Sequence, residues 1–214
     1  MTVSNHRPFT YPEGKIGIPG TAKSRDGGVM YTDYALKQFF EMAKKQPWFK
    51  NTVFVIVADH CASSSGKTEL PMDKYRIPAL IYSPGFIQPQ KMDKLVSQID
   101  LMPTVLGLLN FDYQSKFFGQ NVLLDTYKPR AFIATYQDLG YISNDTLTII
   151  SPVKKMKQYA LVAEKHKEID GKYEIHYSEK LLNKKNQHLE KETIGYYEEA
   201  SGLLKKHKYQ KISK

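Results

Sequence analysis

Thr52-Val53-Phe54-Val55-Ile56-Val57-Ala58-Asp59-His60 is an unbroken β-branched and apolar run that stops abruptly at two adjacent side chains able to ligate a metal. It predicts a buried strand over 52–58 that delivers Asp59 and His60 at its carboxyl end. Open parallel α/β sheets place their sites at such strand ends, where loops fan apart and polar groups face a crevice. Upstream, Thr32-Asp33 is a suitable N-cap pair, and Ala35, Leu36, Phe39, Phe40, Met42 and Ala43 follow at helical spacing until Gln46-Pro47. This predicts a helix over 32–46 packed beside the strand, with a short connector at 47–51. Residues 1–30, with turns such as Tyr11-Pro12-Glu13-Gly14 and Asp26-Gly27-Gly28, show no clean period and read as an irregular loop segment of the kind that carries sites.

Downstream, Cys61-Ala62-Ser63-Ser64-Ser65-Gly66-Lys67 is a small-residue loop, and Lys74-Tyr75-Arg76-Ile77-Pro78 leads into a second strand over 79–83 closed by Ser83-Pro84-Gly85. Asp100 is placed to cap a short helix through Leu109, with Pro103 tolerated in its first turn. The order is β-α-β. From Ala131 the pattern changes to short strand-like runs at 131–136, 139–142, 146–150, 158–163 and 172–177, separated by Gly, Asn-Asp or Ser-Pro turns, which predicts an antiparallel sheet. Residues 186–206 return to helical composition. Tyr127-Lys128-Pro129 is the candidate boundary between two parts, 1–127 and 128–214.

The 214 residues suffice for one sizeable core, and a hydrophobic content of 41% with 12% aromatics marks a globular chain. The net charge of +9 invites a nucleic-acid reading, yet residues 152–214 hold 15 Lys against 9 Asp plus Glu, so most of the excess sits in the last third. There the lysines are scattered among Glu and Tyr without a nucleic-acid-binding signature, which argues against nucleic acid as a partner. Such a tail equally suits anionic lipid head groups or simple solubility. A lone Cys61 excludes an internal disulfide. No stretch approaches the roughly 18 apolar residues needed to span a bilayer, and Met1 to His6 has no signal pattern, so the chain as given reads as soluble and without an address.

Asp-His at a strand end, the Gly-Lys loop, Tyr75-Arg76-Ile77-Pro78-Ala79-Leu80-Ile81-Tyr82-Ser83-Pro84-Gly85 and Val96-Ser97-Gln98-Ile99-Asp100-Leu101-Met102-Pro103-Thr104 occur in an order that resembles the C-terminal half of a sulfatase-type domain of the alkaline phosphatase superfamily. Asn5-His6-Arg7-Pro8 resembles the Asn-His-x-Pro segment of lipoteichoic acid synthase-like phosphoglycerol transferases. The fold class this implies is α/β: the C-terminal part of a sulfatase-like sheet sandwiched by helices, then a small antiparallel sheet and a terminal helix. The resemblance also implies a transferase or hydrolase of phosphate or sulfate esters, acting on phospholipid head groups or envelope glycans. Arylsulfatases and phosphoethanolamine transferases are the alternatives within the superfamily, and an inactive basic binding module is the alternative outside it. Relatives of this kind carry amino-terminal membrane helices and an extracytoplasmic catalytic domain at the bacterial inner membrane, which would lie in a segment upstream of Met1. A second copy of the chain is a candidate partner.

Taken alone, Asp59-His60 reads more often as a turn acid beside a satisfied histidine than as a ligand pair; the surrounding pattern reverses that order. One hard oxygen and one imidazole nitrogen suit Zn or Mn, and with more oxygens Mg or Ca. By resemblance, Asp59 and His60 bind the divalent cation together with an upstream acid and an upstream Thr or Ser nucleophile, so no catalytic nucleophile is expected within the chain. His6 would contact substrate phosphate oxygens, Arg7 beside it could reach an anion, and Lys67 would contact the phosphate or sulfate as a compact point charge. Cys61 reads as a small packed residue. Arg76 is a candidate to pair with a carboxylate, and His166, His176, His188 and His207 read as surface residues.

Overall fold

A computed structural model describes residues 4–61, 69–167 and 173–209. Its contacts divide the chain into two compact units that do not follow chain order: Met1–Val55 with Ile81–Pro89, and Ile56–Leu80 with Gln90–Lys214. The change of composition at Tyr127 falls inside the second unit, at a buried and hydrogen-bonded tyrosine.

In the first unit, α1 spans Arg25–Ala43. It begins well before the expected position at 32, because Ser24, and neither Thr32 nor Asp33, is the N-cap, with its hydroxyl accepting from the Gly27 amide at 3.0 Å. Gly27 and Gly28, expected in a loop, lie in the first turn. A Cβ on Gly28 would sit 2.6 Å from the Ser4 carbonyl oxygen, so a glycine is what lets residues 4–5 approach the helix. The helix ends at Ala43, and Phe49–Asn51 forms a 3-10 turn before β1 at Phe54–Val57. Ala43, Phe49 and Phe54 form a small core with Phe40 and Tyr82 against them; Phe40 meets Phe54 edge-on at 5.1 Å.

β1 pairs with β2, Ala79–Tyr82, in a two-stranded sheet. Contrary to expectation, the strand is buried on one face only. Side chains alternate across a strand, and Phe54 is buried while Val55 and Val57 on the opposite face are 43% and 36% exposed. The helix expected from Asp100 is α2, Leu101–Leu108, preceded by a 3-10 turn at Gln98–Asp100.

The rest of the second unit is a five-stranded antiparallel sheet in sequential order: β3 Ala131–Ala134, β4 Leu139–Ser143, β5 Thr146–Ser151, β6 Lys155–Lys167 and β7 Tyr173–Leu181. Asn144 and Asp145 both take positive φ, 48° and 53°, as a two-residue hairpin requires of its central pair. β6 and β7 run longer than the sequence pattern suggests. In β6, Lys155, Lys157 and Lys165 share the alternate positions of buried Tyr159 and Leu161, which breaks the apolar alternation a strand would otherwise show. Leu70, Met72, Ile133, Ile142, Leu147, Ile149 and Leu161 form the core.

The terminal helix α3, Gln187–Lys205, is capped by the Asn186 side chain, which accepts from the His188 and Leu189 amides. Fully buried Gln158 anchors that cap to the sheet. Its carboxamide donates to the Asn186 carbonyl at 3.0 Å and accepts from the Asn186 amide at 2.6 Å.

Candidate functional site

Asp59 and His60 follow directly on β1 and stand open, with side chains 70% and 72% exposed. The His60 amide donates to Asp59 Oδ1 at 3.0 Å, which turns the carboxylate toward the neighbouring ring. His60 Nδ1 lies 2.7 Å from the Cys61 carbonyl oxygen. A carbonyl only accepts, so Nδ1 is the donor, and a ring carrying one proton presents its lone pair at Nε2. That Nε2 stands 3.8 Å from Asp59 Oδ2. Ligating histidines are commonly held this way, with the non-ligating nitrogen donating to a carbonyl. With bonds of about 2.1 Å to each donor, a shared cation would see the two atoms at an angle of about 130°, wider than tetrahedral, so the side chains would close by a few tenths of an ångström to occupy two positions of one coordination sphere. The exposure leaves the other positions open. Among the described residues, no three His, Cys, Asp or Glu side chains gather as a metal-binding group.

The backbone that presents the pair is held from a second element. Gln98 Nε2 donates to the Ala58 carbonyl at 2.9 Å and, at a longer 3.3 Å, to the Asp59 carbonyl. Gln98 sits in a turn stabilised by a reciprocal cap, in which the Asp100 carboxylate accepts from the Ser97 amide at 3.0 Å. Asp100 is therefore not a simple N-cap for α2. It closes the preceding turn and is fully buried, taking two hydrogen bonds from the Arg130 guanidinium at 3.0 and 3.2 Å, one from the Tyr127 hydroxyl at 3.1 Å and one from the Gln120 amide at 2.7 Å. Burial works against the Arg130 charge, and the hydrogen bonds and charge of Asp100 outweigh it, so its pKa is raised. Burial and the same carboxylate push the Tyr127 phenol up as well. The sequence pattern around Asp100 was readable; its partner Arg130, 30 residues on and next to a strand, carried no local signal.

His6 and Arg7 belong to the first unit, and Asp59 and His60 to the second. His6 is exposed, with Nδ1 2.7 Å from the Arg7 carbonyl oxygen, while the preceding Asn5 accepts from the Thr32 hydroxyl on α1 at 3.0 Å. This hydrogen bond and the Gly28 contact tie the segment before His6 to the helix. Lys67 lies outside the described residues, as does the side chain of His166. Cys61 is a half-buried free thiol. Arg76 donates to the Ile175 carbonyl at 2.6 Å. His176 departs from the surface role expected of it: its Nδ1 is 3.1 Å from Asp73 Oδ2 and it is only 40% exposed, because β7 brings it against the 3-10 turn at Met72–Tyr75.

The sulfatase family model matches residues 1–111 of the chain. The chain is 29% identical over 168 residues to the lipoteichoic acid synthase-like YvgJ of Bacillus subtilis, covering 68% of this chain and 27% of that protein. It is 35% identical over 124 residues to an endo-4-O-sulfatase of Bacteroides thetaiotaomicron, covering 54% and 24% respectively. A crystal structure of a protein in the alkaline phosphatase superfamily from Vibrio parahaemolyticus superposes on 99% of this chain and 49% of its own, with a TM-score of 0.82 at 28% identity. The chain thus spans about a quarter of the length of these two curated relatives.

Proposed function

The chain belongs to the sulfatase family, and on that footing we propose that it forms the metal-binding part of a phosphoglycerol-transferase or sulfatase-like enzyme acting on phosphate or sulfate esters of envelope lipids or glycans. The observation that carries this reading is the Asp59–His60 pair, with His60 Nδ1 committed to the Cys61 carbonyl and Nε2 turned to the Asp59 carboxylate. A divalent cation held there would supply Lewis-acid stabilisation of charge developing on a phosphoryl or sulfuryl oxygen. Asp59 and His60 hold the cation, and His6, Arg7 and Lys67 are the groups proposed to bind the anionic part of the ester as charged or hydrogen-bonding donors. The nucleophilic Thr or Ser and the further acidic ligand are proposed to come from outside these residues, and membrane anchoring is likewise assigned to polypeptide outside them. Among the described residues, no helix is long and apolar enough to cross a membrane.

A phosphoglycerol transferase is favoured by the longer match, to YvgJ, and a sulfate ester hydrolase by the higher identity, to the endo-4-O-sulfatase. The test is a Mn2+ and Zn2+ titration of the wild-type chain, Asp59→Ala and His60→Ala, each also assayed with bis(4-nitrophenyl) phosphate and 4-nitrophenyl sulfate. Weak binding lost in both variants, with little or no turnover by any of the three, is expected. Binding indifferent to both substitutions, or robust turnover by the isolated chain, contradicts the reading.

A further inference from the structure

We propose that Gln98 is a positioning residue for the metal pair, setting the direction in which Asp59 and His60 point by holding the two carbonyls from which they leave the strand; this rests on the metal reading above. Asp59 and His60 lie past the end of β1, where the sheet no longer fixes the backbone. Ala58 donates to the Pro78 carbonyl at 3.3 Å. Beyond it, the 58–59 and 59–60 peptide planes take their support from the Gln98 carboxamide, bonded at 2.9 and 3.3 Å. Both acceptors are carbonyl oxygens, so only the NH2 end of the amide can face them, and its two protons match two acceptors. With those planes held, the Cβ direction of residue 59 and the N–Cα bond of residue 60 are held too. The 3.8 Å separation between Nε2 and Oδ2 depends on both.

The holder is itself fixed. Gln98 occupies the turn closed by Ser97 and Asp100, and Asp100 is locked among Arg130, Tyr127 and the Gln120 amide with no exposure to solvent. A rigid buried ion pair therefore stands behind an exposed glutamine, and the glutamine stands behind the pair. Gln98 is at the surface, and exposed hydrogen bonds contribute little to global stability, so the effect of this contact is one of orientation. Outer groups that orient metal ligands typically change affinity 10- to 100-fold when removed.

The experiment compares wild type, Gln98→Leu, which keeps bulk but loses the donors, and Gln98→Glu, which turns acceptors toward the two carbonyls. Mn2+ affinity, amide hydrogen exchange at Ala58 and His60, and the melting temperature are measured for each, with Asp59→Ala as the reference for the metal reading. Both Gln98 variants are expected to melt with the wild type, to bind Mn2+ about 10- to 100-fold more weakly and to exchange faster at those two amides. Wild-type affinity and wild-type exchange in both variants, with Asp59→Ala still losing Mn2+, would overturn the positioning role alone. If Asp59→Ala leaves Mn2+ binding unchanged, the metal reading falls. Exchange at Ala58 and His60 then decides whether Gln98 orders the strand end: faster exchange keeps that role and unchanged exchange removes it.

Discussion

Glu69 shows how far a single contact sets a residue's chemistry. The hydrogen bond from Lys157 holds its carboxyl down at about 2, against a burial effect that raises it, and the Tyr159 hydroxyl adds a second donor at 2.9 Å. A carboxyl whose folded pKa lies below its ordinary 4.5 contributes stability that is full above about pH 5 and is lost as pH falls toward 2. Thermal unfolding of the wild type is therefore expected to weaken over that window, and Lys157→Met, which removes the principal donor, to melt lower at pH 7 and to show a flatter acid slope. Parallel slopes for the two proteins would contradict the assignment. Glu69 and Lys157 are 88 residues apart, and nothing in the sequence around either announces the pair. The place of Asp59 and His60 at the end of a strand was legible for the opposite reason: the two are adjacent and close an apolar run, so a local pattern is enough. Arg130 and Gln98 were not, since their roles are defined by partners brought together only by the fold.

At the scale of elements, the start of α1 is where local pattern and tertiary packing disagree. Gly27-Gly28 reads as a turn, and intrinsic propensity would favour alanine in a helix by about 1 kcal/mol per glycine. The structure uses Gly28 inside the helix because the Ser4 carbonyl oxygen would lie 2.6 Å from any Cβ there. Gly28→Ala is accordingly expected to destabilise by about 1–3 kcal/mol, the cost typical of overpacking, despite its better propensity. A urea unfolding curve decides, and a stabilised variant would show that residues 4–5 do not hold to the helix. The antiparallel sheet was legible in number and order of strands because turn residues punctuate it. The full length of β6 and β7 was not, since cross-strand pairing from Tyr159–Leu181 to Lys167–Tyr173 extends them through polar residues with no strand signal of their own.

Over the whole molecule, the family motifs and the fold agree: the sulfatase match over residues 1–111 and the superposition on an alkaline phosphatase superfamily protein cover the segments that the Asp-His, Pro-Ala-Leu-Ile-Tyr-Ser-Pro-Gly and Gln-Ile-Asp patterns pick out. β6, β7 and α3 together carry seven Lys against seven Glu, so the excess positive charge of residues 152–214 lies in the residues that flank them, away in sequence from the pair at 59 and 60. The proposed function requires that Asp59 and His60 share a divalent cation. Anomalous diffraction from crystals grown with Mn2+ tests it directly. The expected result is a single strong peak about 2.0–2.2 Å from both an Asp59 carboxylate oxygen and His60 Nε2; a Mn2+ peak elsewhere, with neither side chain in contact, would contradict it.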